Sequence, residues 1–200
     1  MATRNLNKKI SETSLRIGEV RFGYVFVFAP RKNDDGTDGK YSVQILIPKT
    51  DTVAVQLVKD AIEAAKQAGL STKFGGKMPS AAKLHTPLRD GDEEFPEDPT
   101  YEGMYFLNAS SSKDYKPGVA VLANGAVQEA LDNEDFYSGC WGCATVNFYA
   151  YSTRGNVGIA VGLNNVIKTR DDERLAGGKT AAQDFSDLSD LLGDAMSCLD

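Results

Sequence analysis

One stretch constrains the fold more than any other: Gly18-Glu-Val-Arg-Phe-Gly-Tyr-Val-Phe-Val-Phe28. Its aromatic and β-branched residues favour an extended chain. Both faces of that strand are apolar, with Val20, Phe22, Tyr24, Phe26 and Phe28 alternating onto one and Val25 and Val27 onto the other. Gly23 lets it coil sharply, as the strands of a small barrel must. Phe22, Phe26 and Phe28, with Phe148 further on, are assigned to the core.

The rest of the chain supplies partners for this strand. Pro30 ends it, Asn33 to Gly39 is turn chemistry, and Tyr41 to Ile47 returns as the second arm of a hairpin. Asp51 or Thr52 caps a helix over Val53 to Ala68, with Gly69 as its stop. Residues 70 to 100 have little periodicity and read as a long insertion loop. Gly103 to Ala109 is a third strand, Val119 to Leu122 a short one, and Ala126 to Leu131 a helical turn. Cys143 to Ser152 alternates, with Val146, Phe148 and Ala150 inward and Thr145, Asn147, Tyr149 and Tyr151 outward. Arg154 to Gly158 turns into a last strand, Ile159 to Ile167. At least five β segments and one long helix suit a mainly β domain, a small closed or partly open barrel. The expected divisions are a polar N-terminal arm over residues 1–15, the barrel over 16–169, and a linker with an acidic tail over 170–200.

Composition narrows the chemistry. The chain has one histidine, His85, and three cysteines, Cys140, Cys143 and Cys198. That excludes His-dependent triads other than one using His85, and an odd cysteine count argues against a disulfide framework. No apolar run reaches the ~18 residues of a membrane span, and the polar start lacks a signal peptide, so a cytoplasmic protein is expected. The net charge is −6, but Asp184 to Asp200 alone holds five aspartates and no Lys or Arg. The first fifty residues carry nine basic against five acidic side chains, so a local basic surface for a polyanion is compatible with the acidic total.

Most short motifs dissolve on inspection. Gly178-Lys-Thr180 lacks the upstream glycine of a phosphate-binding loop, since Glu173 stands there. Cys140-Trp-Gly-Cys143 has redox-dithiol spacing but precedes a strand instead of opening a helix, so two small semi-buried residues is the better reading. Asp90, Asp92, Glu93 and Glu94 read as a solvated acidic loop, because a calcium loop would want glycine where Phe95 stands. No metal set and no cofactor is expected.

A mixture of aromatic and basic residues carries more information. Tyr105, Tyr115, Trp141, Tyr149 and Tyr151 accompany Arg21, Lys40, Lys83, Lys113, Lys116 and Arg154. Rings that stack on bases beside cations that follow phosphates are what a single-strand binder needs. The expected groove gathers Tyr105, Tyr149 and Tyr151 with Lys113, Lys116 and Arg154, while Trp141 could instead plug one end of the barrel. In the tail, Phe185, Leu188, Leu191, Leu192, Met196 and Leu199 interleave with aspartates down to Asp200. That pattern reads as a docking peptide or as a competitor for the protein's own basic groove.

Six ordered blocks resemble a family of phage-encoded single-stranded DNA-binding proteins. They are Gly18 to Phe28, Lys40 to Lys49, Pro87 to Asp92, Tyr137 to Gly142, Val146 to Tyr151 and Gly158 to Val166. The resemblance covers roughly residues 16 to 185. It implies an OB-fold-like five-stranded barrel elaborated with a helix and long loops, ending in an acidic tail that recruits replication or recombination proteins. It implies non-catalytic coating of single-stranded DNA in phage replication, recombination or repair. The alternatives are a virion assembly domain and a Cys140/Cys143-dependent redox enzyme.

Overall fold

A computed structural model describes residues 5–175. The elements are β1 (Lys8–Lys9), β2 (Ser14–Phe26), β3 (Tyr41–Pro48), α1 (Thr52–Thr72), β4 (Leu84–His85), β5 (Arg89–Asp90), α2 (Gly91–Glu94), β6 (Met104–Ser111), β7 (Gly118–Ala123), β8 (Ala126–Glu129), β9 (Trp141–Thr153) and β10 (Asn156–Arg170). Five of the strands close into a barrel in the order β2, β3, β6, β10, β9 and back to β2. Four of these contacts are antiparallel. The fifth, β6 with β10, is parallel, with Ala109 opposite Val161. Counted along the chain the ring order is 1-2-3-5-4, an OB-fold barrel. Closure removes the open edges that five such strands would otherwise present.

Burial follows alternation. Phe22, Ile45, Leu107, Val146 and Phe148 point inward, and α1 packs on β9, β2 and β10 with Ala54, Val58, Ala61, Ile62 and Ala65. Asp51 caps the helix, its carboxylate accepting from the Ala54 N–H at 2.9 Å. Gly69 is not the stop. The helix runs on to Thr72, and Gly69 is the point where its backbone meets the Ala150 side chain. A methyl there would overlap Ala150 and press on the Phe74 ring at 3.0 Å. Alanine gains about 1 kcal/mol of helix propensity, but overpacking costs ~1 to 3 kcal/mol. Gly69→Ala is therefore expected to lower the melting temperature, read by circular dichroism. A rise would mean that the helix shifts freely on the barrel.

Three further local expectations are corrected. The alternation of β2 inverts at an irregularity between Gly23 and Phe26, where Tyr24 takes φ 45°. Tyr24 therefore faces solvent, Val27 is buried in its stead, and Phe26 and Phe28 are only half-buried. Ala126–Glu129 is strand and not helix, because Asn124 and Gly125 adopt positive φ and form a two-residue hairpin turn. Residues 70–100 are not one loop: β4 pairs with β10, β5 pairs with β6, and Asp90 caps α2.

At the ends, Lys8 and Lys9 pair with Arg16 and Leu15, and the Leu6 carbonyl accepts from Arg16 Nε, so the arm is anchored from Leu6 onward. Likewise β10 extends through Arg170, and residues 171–175 lie against the barrel instead of leaving it at 169. The tail residues Phe185, Leu188, Leu191, Leu192, Met196, Leu199 and Asp200, with Cys198, lie outside the described residues.

Candidate nucleic-acid interface

The bulge that turns Tyr24 outward creates a feature the alternation pattern does not predict. On the outer face of β3 and β6, Leu46, Phe106, Tyr101 and Met104 form a second small apolar cluster. The loop from α2 to β6 folds over it, placing Phe95 4.4 Å from Tyr101 and 5.7 Å from Phe106, centroid to centroid. Tyr101 donates its hydroxyl to the buried Gln44 Oε1 at 2.8 Å, which fixes the ring. Tyr24 stands beside this cluster, 66% exposed.

Two depressions meet there and share Tyr24, Phe26, Gln44 and Tyr101. The larger, about 740 Å³, runs past Tyr137 to Glu173, Arg174 and Leu175. The smaller, about 410 Å³, runs to Arg31, Arg89, Phe95, Phe106 and Asn108. Together they make a trough across the outer faces of β2, β3 and β6. Its cations are coupled to its rings. The Arg89 guanidinium lies 4.7 Å from the Phe106 centroid and binds Glu94, while Arg174 lies 4.2 Å from Tyr137 and 2.7 Å from Glu134. Flat rings with guanidinium groups between them can stack bases and hold phosphates.

The far wall of the trough is a strap, residues 171–175. The Trp141 indole donates to Asp172 Oδ2 at 2.7 Å, and the Arg170 guanidinium covers the same ring at 4.7 Å. Tyr137 donates its hydroxyl to Asp171 Oδ1 at 2.8 Å, and the Leu175 N–H donates to the Ser138 carbonyl at 2.8 Å. The bond from Trp141, with help from the Glu173 N–H, holds the Asp172 carboxyl below the usual carboxylate range. Lys168, then Tyr137, does so for Asp171.

Both folded-state values are depressed. Their contribution is thus present above the ordinary aspartate pKa of about 3.9 and lost as pH falls below it through the lowered values. The single tryptophan reports this: Trp141 emission should shift on acidification below about pH 4, and Asp172→Asn should remove most of the change. A flat titration would show that the strap does not depend on these carboxylates.

The structure divides the residues proposed from sequence into four places. Arg21 is turned inward, its Nε donating to the Gly139 carbonyl and its Nη2 to the Glu173 carbonyl, both at 3.1 Å. It braces the strap instead of facing a ligand, because the strap's carbonyls occupy its donors. Trp141 belongs to the same brace and plugs nothing. Tyr105 shares the inward alternation of Leu107 and Ala109, with Lys49 and Lys59 over its ring at 4.8 and 5.7 Å. Lys40, Lys113, Tyr115 and Lys116 flank the end of the β3–β6 pair, where Ser42 and Asn108 line the trough. Lys116 lies 5.9 Å from the Phe28 ring there.

Tyr149 and Tyr151 do face outward, as alternation predicts, but on β9, which is adjacent to neither β3 nor β6. Tyr151 and Arg154 line a separate hollow with His85, and Lys83 lies just before it in sequence. The expected grouping of Tyr105 with Tyr149 and Tyr151 therefore does not form. Tyr24, Phe95, Tyr101, Tyr137, Arg31, Arg89 and Arg174 escaped the sequence reading. The one local signal was Gly23 immediately before Tyr24, a strand glycine that marks a bulge.

A family model described as the ssDNA-binding protein of Enterobacter phage Enc34 matches residues 13–196. The chain belongs to that family. Among relatives of this Enc34-family protein, p50 of Acyrthosiphon pisum secondary endosymbiont phage 1 is 30% identical over 185 residues, 88% of this chain and 94% of p50. Two solved structures of the Enc34 single-stranded DNA-binding protein align at 25% identity. The one in complex with ssDNA has a TM-score of 0.70 and covers 88% of this chain and all of that one. The other has a TM-score of 0.66 and covers 90% and 97%. The gp2.5 single-stranded DNA-binding protein of bacteriophage T7, at 15% identity and TM-score 0.54, covering 88% and 94%, shares the fold.

Cys140 and Cys143 are both free and buried. Burial pushes the Cys140 thiol up to about 11 and raises Cys143 as well.

Proposed function

We infer that this protein binds single-stranded DNA along the trough over β2, β3 and β6. It thereby coats and protects single strands during phage replication, recombination or repair in the host cytoplasm. The observation that carries this reading is the pair of exposed rings Tyr24 and Phe95, set against the buried Tyr101 and beside Arg31, Arg89 and Arg174. The trough they line crosses the outer face of the second and third barrel strands, the face on which OB-folds take oligonucleotides. Family membership and the likeness to an Enc34 protein solved with ssDNA support it.

The role is binding without chemistry. The raised thiols of Cys140 and Cys143 are the opposite of what a redox or nucleophilic cysteine uses. The acidic segment beyond the strap recruits replication or recombination proteins through its apolar residues.

The test is fluorescence polarisation with labelled oligo-dT, the matching duplex and a salt series. Binding to the single strand should weaken with salt at a log–log slope of about −0.7 per phosphate engaged. No binding at low salt would overturn the reading and favour an assembly domain.

A further inference from the structure

Away from the Tyr24 trough, a second face of the sheet is left uncovered. Directly paired residues share a face of a sheet. The pairings Arg16 with Thr145, Thr145 with Asn165, Cys143 with Ile167 and Ile167 with Ala120 therefore lay one outward surface across β2, β9, β10 and β7. The β7–β8 hairpin raises its far wall, with Leu122 directly opposite Val127. The shallow, open hollow measures about 420 Å³ and is mainly aliphatic, lined by Val119, Val127 and Ile167 among others. Val127 is 68% exposed, and β8 pairs with β7 alone among the described residues, leaving an open strand edge. Aliphatic side chains beside an open edge are a surface that a partner covers.

We propose that the acidic, leucine-rich segment Asp184–Asp200 of the same chain docks in this hollow. Reach comes first: the segment departs from Leu175, on the trough wall, with the hollow inside its span. Leu175 is bonded to Ser138, three residues before Trp141, and two residues of β9 lead from Trp141 to Cys143 in the hollow's floor. Two strand residues span about 7 Å. The eight residues 176–183 reach up to about 28 Å at full extension, ample for the path.

Chemistry supports it second. Phe185, Leu188 and Leu192 recur at helical spacing with Asp184, Asp187 and Asp190 among them. The hollow offers an aliphatic floor with Arg16 at one rim and Lys8 paired beside it, and neither cation makes an ion pair among the described residues. Glu129 stands at the opposite rim, so the aspartates lie toward Arg16. Tethering supports it third. A short tether gives an effective concentration near 1 mM, so even a segment of roughly 0.1 mM affinity is about 90% docked.

Docking here leaves the Tyr24 trough open, so segment and single strand occupy different faces. Hydrogen–deuterium exchange on the full chain tests this, comparing it with a full chain carrying Phe185→Ser, Leu188→Ser and Leu192→Ser. Amides of residues 118–129 should exchange up to about tenfold faster in the substituted chain, the factor set by the docked fraction. Val127→Asp, a change at an exposed site, should speed exchange in residues 185–192 of the otherwise unaltered chain. Saturating oligo-dT should leave the protection in place.

Equal exchange over residues 118–129 in both chains would overturn the proposal. So would faster exchange appearing at Tyr24 and Tyr101 instead, which would put the segment in the trough. Protection that grows with protein concentration would assign the hollow to the segment of a second copy and overturn docking within one chain. None of these outcomes depends on whether the trough binds DNA.

Discussion

Alanine at Tyr24 or at Phe95 is expected to cut affinity for oligo-dT by roughly 5- to 150-fold, the ~1 to 3 kcal/mol that one stacked base contributes. These two rings are the right ones to remove because the fold needs them least. Tyr24 sits on the outside of the β2 irregularity, and alanine inherits its positive φ at no further cost. Phe95 stacks on Tyr101 from the solvent side. Melting temperature should stay within a few degrees, since surface substitutions rarely exceed ±0.5 kcal/mol. The salt slope should stay as it was, because neither ring neutralises a phosphate. Both rings flank Tyr101, so the double substitution should depart from additivity. Tyr149→Ala is the discriminating comparison. Alternation alone nominates Tyr149, but the barrel places it on β9. A larger loss from Tyr149 than from Tyr24 would mean that the strand runs over β9 and that the trough assignment is wrong.

What the sequence can carry is visible in β9 and in α1. Strict alternation puts Val146, Phe148 and Ala150 inside, and helical spacing puts Ala54, Val58, Ala61, Ile62 and Ala65 against the barrel, all as observed. Both patterns are periodic, and a period survives without knowledge of partners. The site was not legible for the complementary reason. An irregularity near Tyr24 shifts the register, and beyond it every side chain changes face. Tyr101 became a site residue only because a loop far along the chain folds back over Leu46 and Phe106. Ala126–Glu129 has helix-favouring residues, but the Asn124-Gly125 turn before it dictates a hairpin. Arg21 illustrates the same limit: a sequence displays a cation, not the two carbonyls that meet it.

Those carbonyls make Arg21→Ala the sharpest test of how the strap is held. The Arg21 side chain is 16% exposed and donates to carbonyls on both sides of the strap's contact with the barrel, at Gly139 and Glu173. Hydrogen bonds from a charged group contribute about 1.5 to 3 kcal/mol each, and a buried acceptor left without a donor adds its own penalty. The two bonds share one donor group, so about 3 kcal/mol in all is the expected loss. For a domain of this size each kcal/mol moves the melting temperature by about 2 to 4 °C, which gives a fall of roughly 6 to 12 °C. If Arg21 instead served a phosphate, the melting temperature would barely move and the salt slope for oligo-dT would fall by about 0.7. The two roles therefore separate on two independent readouts. A bracing arginine leaves the slope intact and also loosens Arg174 and Tyr137, the far wall of the trough. Oligo-dT should accordingly dissociate faster from Arg21→Ala while each surviving phosphate contact keeps its salt dependence. A variant that melts normally with a shallower slope would return Arg21 to the DNA-contacting set.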